Sequence, residues 1–203
     1  AADYYTYVRT LGRDYTIRHY GPVKVRPADK KDHYVKRCVA SPGDTLEIRD
    51  GQVYIDSQAQ EVWPGVQNPY QVIRDGQRIN PGNLDTPGLP VRELWYQPDL
   101  PGYPAMPLTS EMLEMLKAYP NVVSVEQNID SYPPDFPDSE KTIFPFSEDY
   151  RWTRDNFGPL WIPEKGTEVS LTVENLPLYE RIITAYEGNQ LQVKDGKIYI
   201  NGE

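Results

Sequence analysis

Cysteine, histidine and long apolar stretches are scarce in this chain of 203 residues. A single cysteine, Cys38, excludes an intrachain disulfide, and with only His19 and His33 beside it no structural zinc site is expected. No stretch approaches the roughly 20 consecutive apolar residues of a membrane-spanning helix. The net charge is −9 and the chain has no long basic stripe, so we expect no nucleic acid partner. Glycine-rich phosphate loops and the G-x-S-x-G nucleophile motif are also missing from the sequence, and no cofactor is expected.

Aromatic residues are plentiful, with 16 Tyr, 4 Trp and 4 Phe. Disordered chains are poor in aromatics, so this composition indicates a folded protein. Thirteen of the 20 prolines lie between Pro64 and Pro137, where we expect irregular structure. The prediction is a mostly β fold with a proline-rich α+β insertion.

The strongest local pattern is a β-hairpin over residues 45–55. Two β-rich runs flank Asp50-Gly51, a pair typical of a tight hairpin turn because such turns need positive φ angles. The pattern recurs: residues 43–56 align with residues 188–201 at a constant offset, with the Asp-Gly pair repeated as Asp195-Gly196. We expect two equivalent hairpins, which would pair in one sheet.

The other elements follow from periodicity and from breaker residues. Residues 110–118 predict a helix that ends before Pro120, and residues 3–20 fit either a short amphipathic helix or an extended segment. Alternating patterns predict strands at 23–26, 34–39, 121–126, 168–173 and 180–186. The predicted organisation is a β core over 1–56, an inserted region over 57–150, and β strands with the second hairpin over 151–203.

Lys36 is unusual because it lies inside a predicted strand beside apolar residues. A lysine forced into an apolar setting loses its proton more easily, since desolvation penalises the charged form. Such a lysine can act as a general base for a serine nucleophile. On the residues alone, the favoured interpretation is an ordinary lysine of an edge strand.

The run YVKRCVASPGDTLEIRDGQVYID (residues 34–56) resembles the lysine-bearing motif of bacterial type I signal peptidases. That family has a tyrosine, an aliphatic residue, Lys-Arg, a short apolar run, Pro-Gly-Asp and then a hairpin. The chain length and the proline-rich middle look most like the enlarged enzymes of Bacteroides-type bacteria. The resemblance implies a membrane-bound Ser–Lys endopeptidase that removes signal peptides from exported preproteins on the outer side of the inner membrane.

The resemblance also implies a role for each matching residue. Lys36 aligns with the general base, and Tyr34 and Val35 align with residues that line the substrate groove. Arg37 aligns with a structural arginine that pairs with an acid of a later motif. The turn residues Pro42, Gly43 and Asp44 are implied as structural support of the site. No metal takes part.

Two family motifs have no match here. The Ser-Met-x-Pro-like motif with the nucleophile is missing, as is the Gly-Asp-Asn…Ser-x-Asp-Ser-Arg motif, of which residues 154–158 are only a superficial echo. Ser41 occupies a turn position rather than that of the family's serine. We therefore expect an inactive extracytoplasmic fragment, attached to the membrane in the complete enzyme, with Lys36 exposed. The alternatives are another Ser–Lys protease of the self-cleaving repressor type and a non-catalytic β-rich scaffold module.

Overall fold

The computed structural model describes residues 4–22, 24, 27–31, 35–77, 106–132 and 143–203. The predicted strand at 23–26 lies largely outside these ranges, as does part of the proline-rich region between Pro64 and Pro137. Two compact units make up the chain. Unit 1 consists of residues 1–45, 132–153 and 160–203, and unit 2 consists of residues 46–131 and 154–159.

Unit 2 has the first hairpin, formed by β1 (Thr45–Arg49) and β2 (Gln52–Ile55). The two turn residues, Asp50 and Gly51, have positive φ angles of 48° and 81°, as the sequence predicts. The short strand β3 (Gln58–Ala59) and a later strand, β7 (Phe157–Trp161), complete a four-stranded sheet in the order β3-β2-β1-β7.

A second sheet in unit 2 has the order β5-β4-β6, formed by β4 (Asn68–Arg74), β5 (Met106–Leu108) and β6 (Val122–Gln127). A helix, α3 (Ser110–Lys117), begins after Thr109, whose side chain accepts a hydrogen bond from the Met112 backbone N–H. The helix predicted at 110–118 and the strand predicted at 121–126 are both confirmed.

The hydrophobic core of unit 2 lies between helix α3 and this sheet. It consists of five buried side chains: Val72, Met106, Leu108, Met112 and Leu116. Two of them come from the predicted helix and the others from β4 and β5. The helix therefore covers one face of a three-stranded sheet, which is an α+β arrangement.

Unit 1 begins with two helices, α1 (Tyr4–Leu11) and α2 (Arg13–Tyr20), separated by Gly12 at φ +82°. The structure thus decides between helix and extended chain over residues 3–20 in favour of helix. A single 3₁₀ turn follows at Ala28–Lys30. The buried Thr16 hydroxyl donates a hydrogen bond to the Gly12 carbonyl (2.8 Å), which satisfies its polar group.

The second hairpin is formed by β8 (Leu191–Lys194) and β9 (Lys197–Ile200). Its register, from Leu191 opposite Ile200 to Lys194 opposite Lys197, repeats that of the first hairpin. The expectation of equivalent hairpins is confirmed. The expectation that they pair in one sheet is wrong, because β8 and β9 form a separate two-stranded sheet. Local sequence sets a hairpin's turn, whereas its sheet partners come from distant segments.

Two predicted strands of unit 1 are also wrong. Residues 168–173 form no strand, and residues 180–186 belong to helix α4 (Leu176–Arg181) and the π-helical turn that continues it (Ile182–Tyr186). The buried positions are Leu176 and Ile183, two helical turns apart. Pro177 in the first turn of the helix is compatible with this start, because its missing N–H needs no partner there. Even so, the mostly β character of the fold is confirmed.

Leu116 offers the most direct test of the unit 2 core. Its side chain is fully buried, so Leu116→Ala should lower the free energy of unfolding by about 2–5 kcal/mol through lost burial and a residual cavity. The matched control is Val123→Ala on the neighbouring strand, where the side chain is 66% exposed and a change within about 0.5 kcal/mol is expected. Urea denaturation followed by circular dichroism measures both. Equal losses in the two variants would contradict this core.

The first hairpin also allows a pH test. Arg49 donates two hydrogen bonds to Glu47 (2.7 and 2.5 Å), and these bonds lower the pKa of the Glu47 carboxyl below its usual value. A carboxyl with a lowered pKa stabilises the fold above its unfolded-state pKa, and that contribution disappears as pH falls through the folded-state pKa. An NMR titration should show the Glu47 pKa rise in Arg49→Gln. An unchanged pKa would show that the ion pair does not form.

Candidate functional site

Residues 35–40 connect the start of unit 1 to the first hairpin without helix or strand structure. Five of the six are exposed, and Val35 retains 94% of its accessible surface. The strand predicted at 34–39 is therefore wrong over the described residues, because no described strand pairs with this segment. Tyr34, the first groove residue implied by the resemblance, lies outside the described residues.

Lys36 is exposed, as expected for this chain. Its ammonium group has no hydrogen bond or ion pair with another described residue, and the structure does not bring it into hydrogen-bond contact with Ser41. The neighbouring Arg37 is exposed too, while the Cys38 thiol donates a hydrogen bond to the Ala40 carbonyl (3.1 Å). Lys36 is thus presented to solvent on a segment without regular structure, and not in an apolar pocket formed by the described residues.

The segment ends in the Pro42-Gly43-Asp44 turn, and this turn is firmly attached. The Gly43 N–H donates to the Ile162 carbonyl (2.7 Å), and the Ile162 N–H donates to the Asp44 carbonyl (2.9 Å). Within the turn, the Asp44 carboxylate accepts a hydrogen bond from the Ser41 N–H (2.7 Å), and the Asp44 N–H donates to the Ser41 carbonyl (3.1 Å). These bonds fix the backbone at the carboxyl end of the lysine segment.

The backbone conformation of Gly43 favours glycine in this turn. Its φ of +97° lies in the region that residues with a side chain rarely adopt. A Cβ atom there would lie 2.5 Å from a carboxylate oxygen of Glu164, but that oxygen ends an exposed, flexible side chain that can move aside. The role of Pro42, Gly43 and Asp44 as structural support of a site stays a prediction.

Unit 2 contains a polar network that was missed in the sequence, formed by Arg154, Asp155 and Asn156. The Asp155 carbonyl accepts a hydrogen bond from the Gly51 N–H (2.8 Å), and the Asn156 side chain accepts one from the Asp50 N–H (3.1 Å). Asn156 also donates to the Asp50 carboxylate (3.3 Å). Asp155, through its backbone, and Asn156, through its side chain, thus hold the turn of the first hairpin.

The same segment holds the chain beyond β6. The Asp155 carboxylate accepts a hydrogen bond from the Asp130 N–H (2.6 Å), while Arg154 forms an ion pair with the Asp130 carboxylate (2.9 Å). In the sequence, this Arg-Asp-Asn run is only a superficial echo of a family motif. Its lack of hydrophobic alternation was the available signal that these side chains serve polar contacts.

The described residues form neither a metal-binding cluster nor a membrane-spanning helix. No cluster of three or more histidine, cysteine or acidic side chains in the described ranges could hold a metal ion. In the same part of the chain, no helix has the length and apolar character needed to cross a membrane.

Comparison with known proteins bears directly on the lysine segment. Residues 14–98 match the family model described as signal peptidase, peptidase S26. This match covers less than half of the chain but includes Lys36, the Pro42-Gly43-Asp44 turn and the first hairpin. No curated protein and no solved structure matches the chain. A signal peptidase family pattern is therefore present in residues 14–98, which include the lysine-bearing run over residues 34–56.

The turn leads to a stability prediction with a matched control. Gly43→Ala should destabilise unit 1 by about 1–2 kcal/mol through the left-handed φ, because the exposed Glu164 side chain can move away from the added Cβ. Gly65→Ala, at φ +85° with nothing near its added Cβ, should show a loss of the same size.

Thermal unfolding of both variants measures these losses. Combining Gly43→Ala with Glu164→Ala should recover little stability, because Glu164 is free to move in the single variant. A much larger loss in Gly43→Ala than in Gly65→Ala, restored by Glu164→Ala, would contradict this account.

Proposed function

We propose that this chain is the extracytoplasmic part of a type I signal peptidase, with Lys36 as the general base of the complete enzyme. The observation that carries the proposal is the match of residues 14–98 to the signal peptidase family model. Within that match, Lys36 precedes the anchored Pro42-Gly43-Asp44 turn at the spacing of the family's lysine motif. The division into a core over 1–56 and 151–203 with an insertion over 57–150 belongs to the same proposal.

The proposed chemistry is peptide hydrolysis by a Ser–Lys dyad. A neutral lysine amine takes the proton of a serine hydroxyl as the serine oxygen attacks the scissile carbonyl and forms an acyl-enzyme. The amine of the leaving peptide accepts the proton, and a water molecule then hydrolyses the ester to release the signal peptide and regenerate the serine. For a lysine to be half-neutral near pH 7–8, its pKa must fall by about 3 units, which corresponds to about 4 kcal/mol.

Such a fall in pKa needs a closed apolar pocket, whereas Lys36 is exposed in this chain. We propose that segments outside residues 1–203 supply the serine and bury the lysine. This chain alone is then inactive. The anchored turn supports the proposal, because it fixes one end of the lysine segment while the segment itself stays open to a partner.

The substrates we propose are preproteins bearing signal peptides. Val35, which is exposed, would lie beside the bound substrate, which would add as a β-strand. Tyr34 would line the same groove, and Arg37 would pair with an acid of the missing motif. The enzyme would be held in the inner membrane of a Bacteroides-type bacterium, with this part on the outer side.

One observation favours a second candidate, a non-catalytic β-rich scaffold module. Lys36 has neither burial nor a bonded partner among the described residues, as expected of a lysine without a catalytic role. The two candidates differ in what loss of the amine does to the complete protein.

The test uses the complete protein encoded by the gene, assayed for cleavage of a preprotein. Lys36→Ala should lower the cleavage rate at least about 100-fold, the usual minimum contribution of a general base. The control is Lys31→Ala, another exposed lysine of the same region, which should cleave at the normal rate. The 203-residue chain should not cleave. Normal processing by Lys36→Ala would overturn the proposal and favour the scaffold module.

A further inference from the structure

Unit 1 contains a cavity of about 490 Å³ that the proposed peptidase chemistry does not use. Helix α1 contributes Arg9, the loop before residue 150 contributes Phe144, Pro145 and Phe146, and helix α4 with its π-helical turn contributes the rest of the wall. Its volume falls within the range of about 300–1,000 Å³ that is common for small-molecule sites.

The cavity has a cationic side. Arg9 and Arg181 both line it, and Glu180 is the only carboxylate among its described lining residues. A guanidinium has five N–H donors in a planar fork, so it can keep contacts within the protein while binding a carboxylate or phosphate. The cavity lining thus has more cationic than anionic side chains, although the whole chain has a net charge of −9.

Much of the remaining lining is apolar or aromatic. Phe146 lies under the Arg9 guanidinium, with 4.7 Å between the guanidinium carbon and the ring centroid, and Pro145 beside it is buried. This cation–π contact orients the plane of the guanidinium. A ligand that reaches the arginines therefore also meets aromatic and proline surface.

The backbone of Phe146 adopts an unusual conformation at this site. Its φ is +62°, a left-handed value that is strained for a bulky residue. The turn is closed by a hydrogen bond from the Phe146 N–H to the Ile143 carbonyl (3.0 Å). Strained residues of this kind concentrate at ligand sites, and here the strained residue is the one that supports a cavity arginine.

From these observations we propose that the cavity binds an amphipathic anion: a carboxylate or phosphate head between Arg9 and Arg181, with its alkyl chain on Phe144, Pro145 and Phe146. Glu180 opposes binding by repelling the anionic head. The site is thus selective for ligands that combine one negative group with an apolar chain.

The test measures binding of octyl phosphate to the 203-residue chain by calorimetry below the micellar concentration. Arg181→Gln should raise Kd about tenfold or more, because a charge-assisted contact is lost. Glu180→Gln should lower Kd a few-fold. The matched control Arg13→Gln, which removes an exposed arginine of unit 1 outside the cavity, should leave Kd unchanged.

Comparison ligands separate the two halves of the proposal. Octanol should bind at least tenfold more weakly because it lacks the charge, and inorganic phosphate should do so because it lacks the alkyl chain. Octanoate should bind in the range of octyl phosphate. Equal binding of octanol or of free phosphate would overturn the proposal, and so would an Arg13→Gln effect as large as that of Arg181→Gln. None of these outcomes depends on peptidase activity.

Discussion

Two backbone hydrogen bonds between the Pro42-Gly43-Asp44 turn and Ile162 determine where the lysine segment ends. They join parts of unit 1 that are far apart in the sequence, and both depend on a left-handed residue at Gly43. They fix the carboxyl end of residues 35–40, which pair with no described strand. The described lysine segment is therefore anchored at its carboxyl end and is mostly exposed. That arrangement fits a site completed by a further segment.

The features that could be predicted from the sequence are local ones, namely the hairpin turns and helix α3. Asp50-Gly51 and Asp195-Gly196 each set a turn through their own backbone preferences, and helix α3 is specified by its cap and apolar face. The predictions that failed concern which segments pair with each other in a sheet. The predicted strand over 34–39 has the right alternation but no described neighbour, and the expected joining of the two hairpins fails because β7 pairs with β1 instead. Helix α4 and its π-helical turn were missed because residues 180–186 alternate as a strand does, and only Ile183 of the two buried positions lies in that range, while Leu176 precedes it.

The site shows the same division between local and distant determinants. The sequence singles out Lys36 and the Pro42-Gly43-Asp44 turn, and the structure shows how the turn is anchored. The surroundings of Lys36 could not be predicted from the sequence, because desolvation depends on the assembled pocket and not on the motif. The Arg154–Asn156 network was also missed, since hydrogen bonds to a distant hairpin turn leave no periodic signal.

The central claim, that Lys36 is the general base of a signal peptidase whose remaining parts lie outside residues 1–203, is tested most directly by sequencing the gene on both sides of this region. The account predicts an upstream apolar span followed by Ser-x-x-Pro, and a downstream Gly-Asp-Asn with Ser-x-Asp-Ser-Arg. The first motif would supply the nucleophile and the second an acid for Arg37. An open reading frame with neither motif would contradict the account and leave the lysine motif as a structural feature of a β-rich domain.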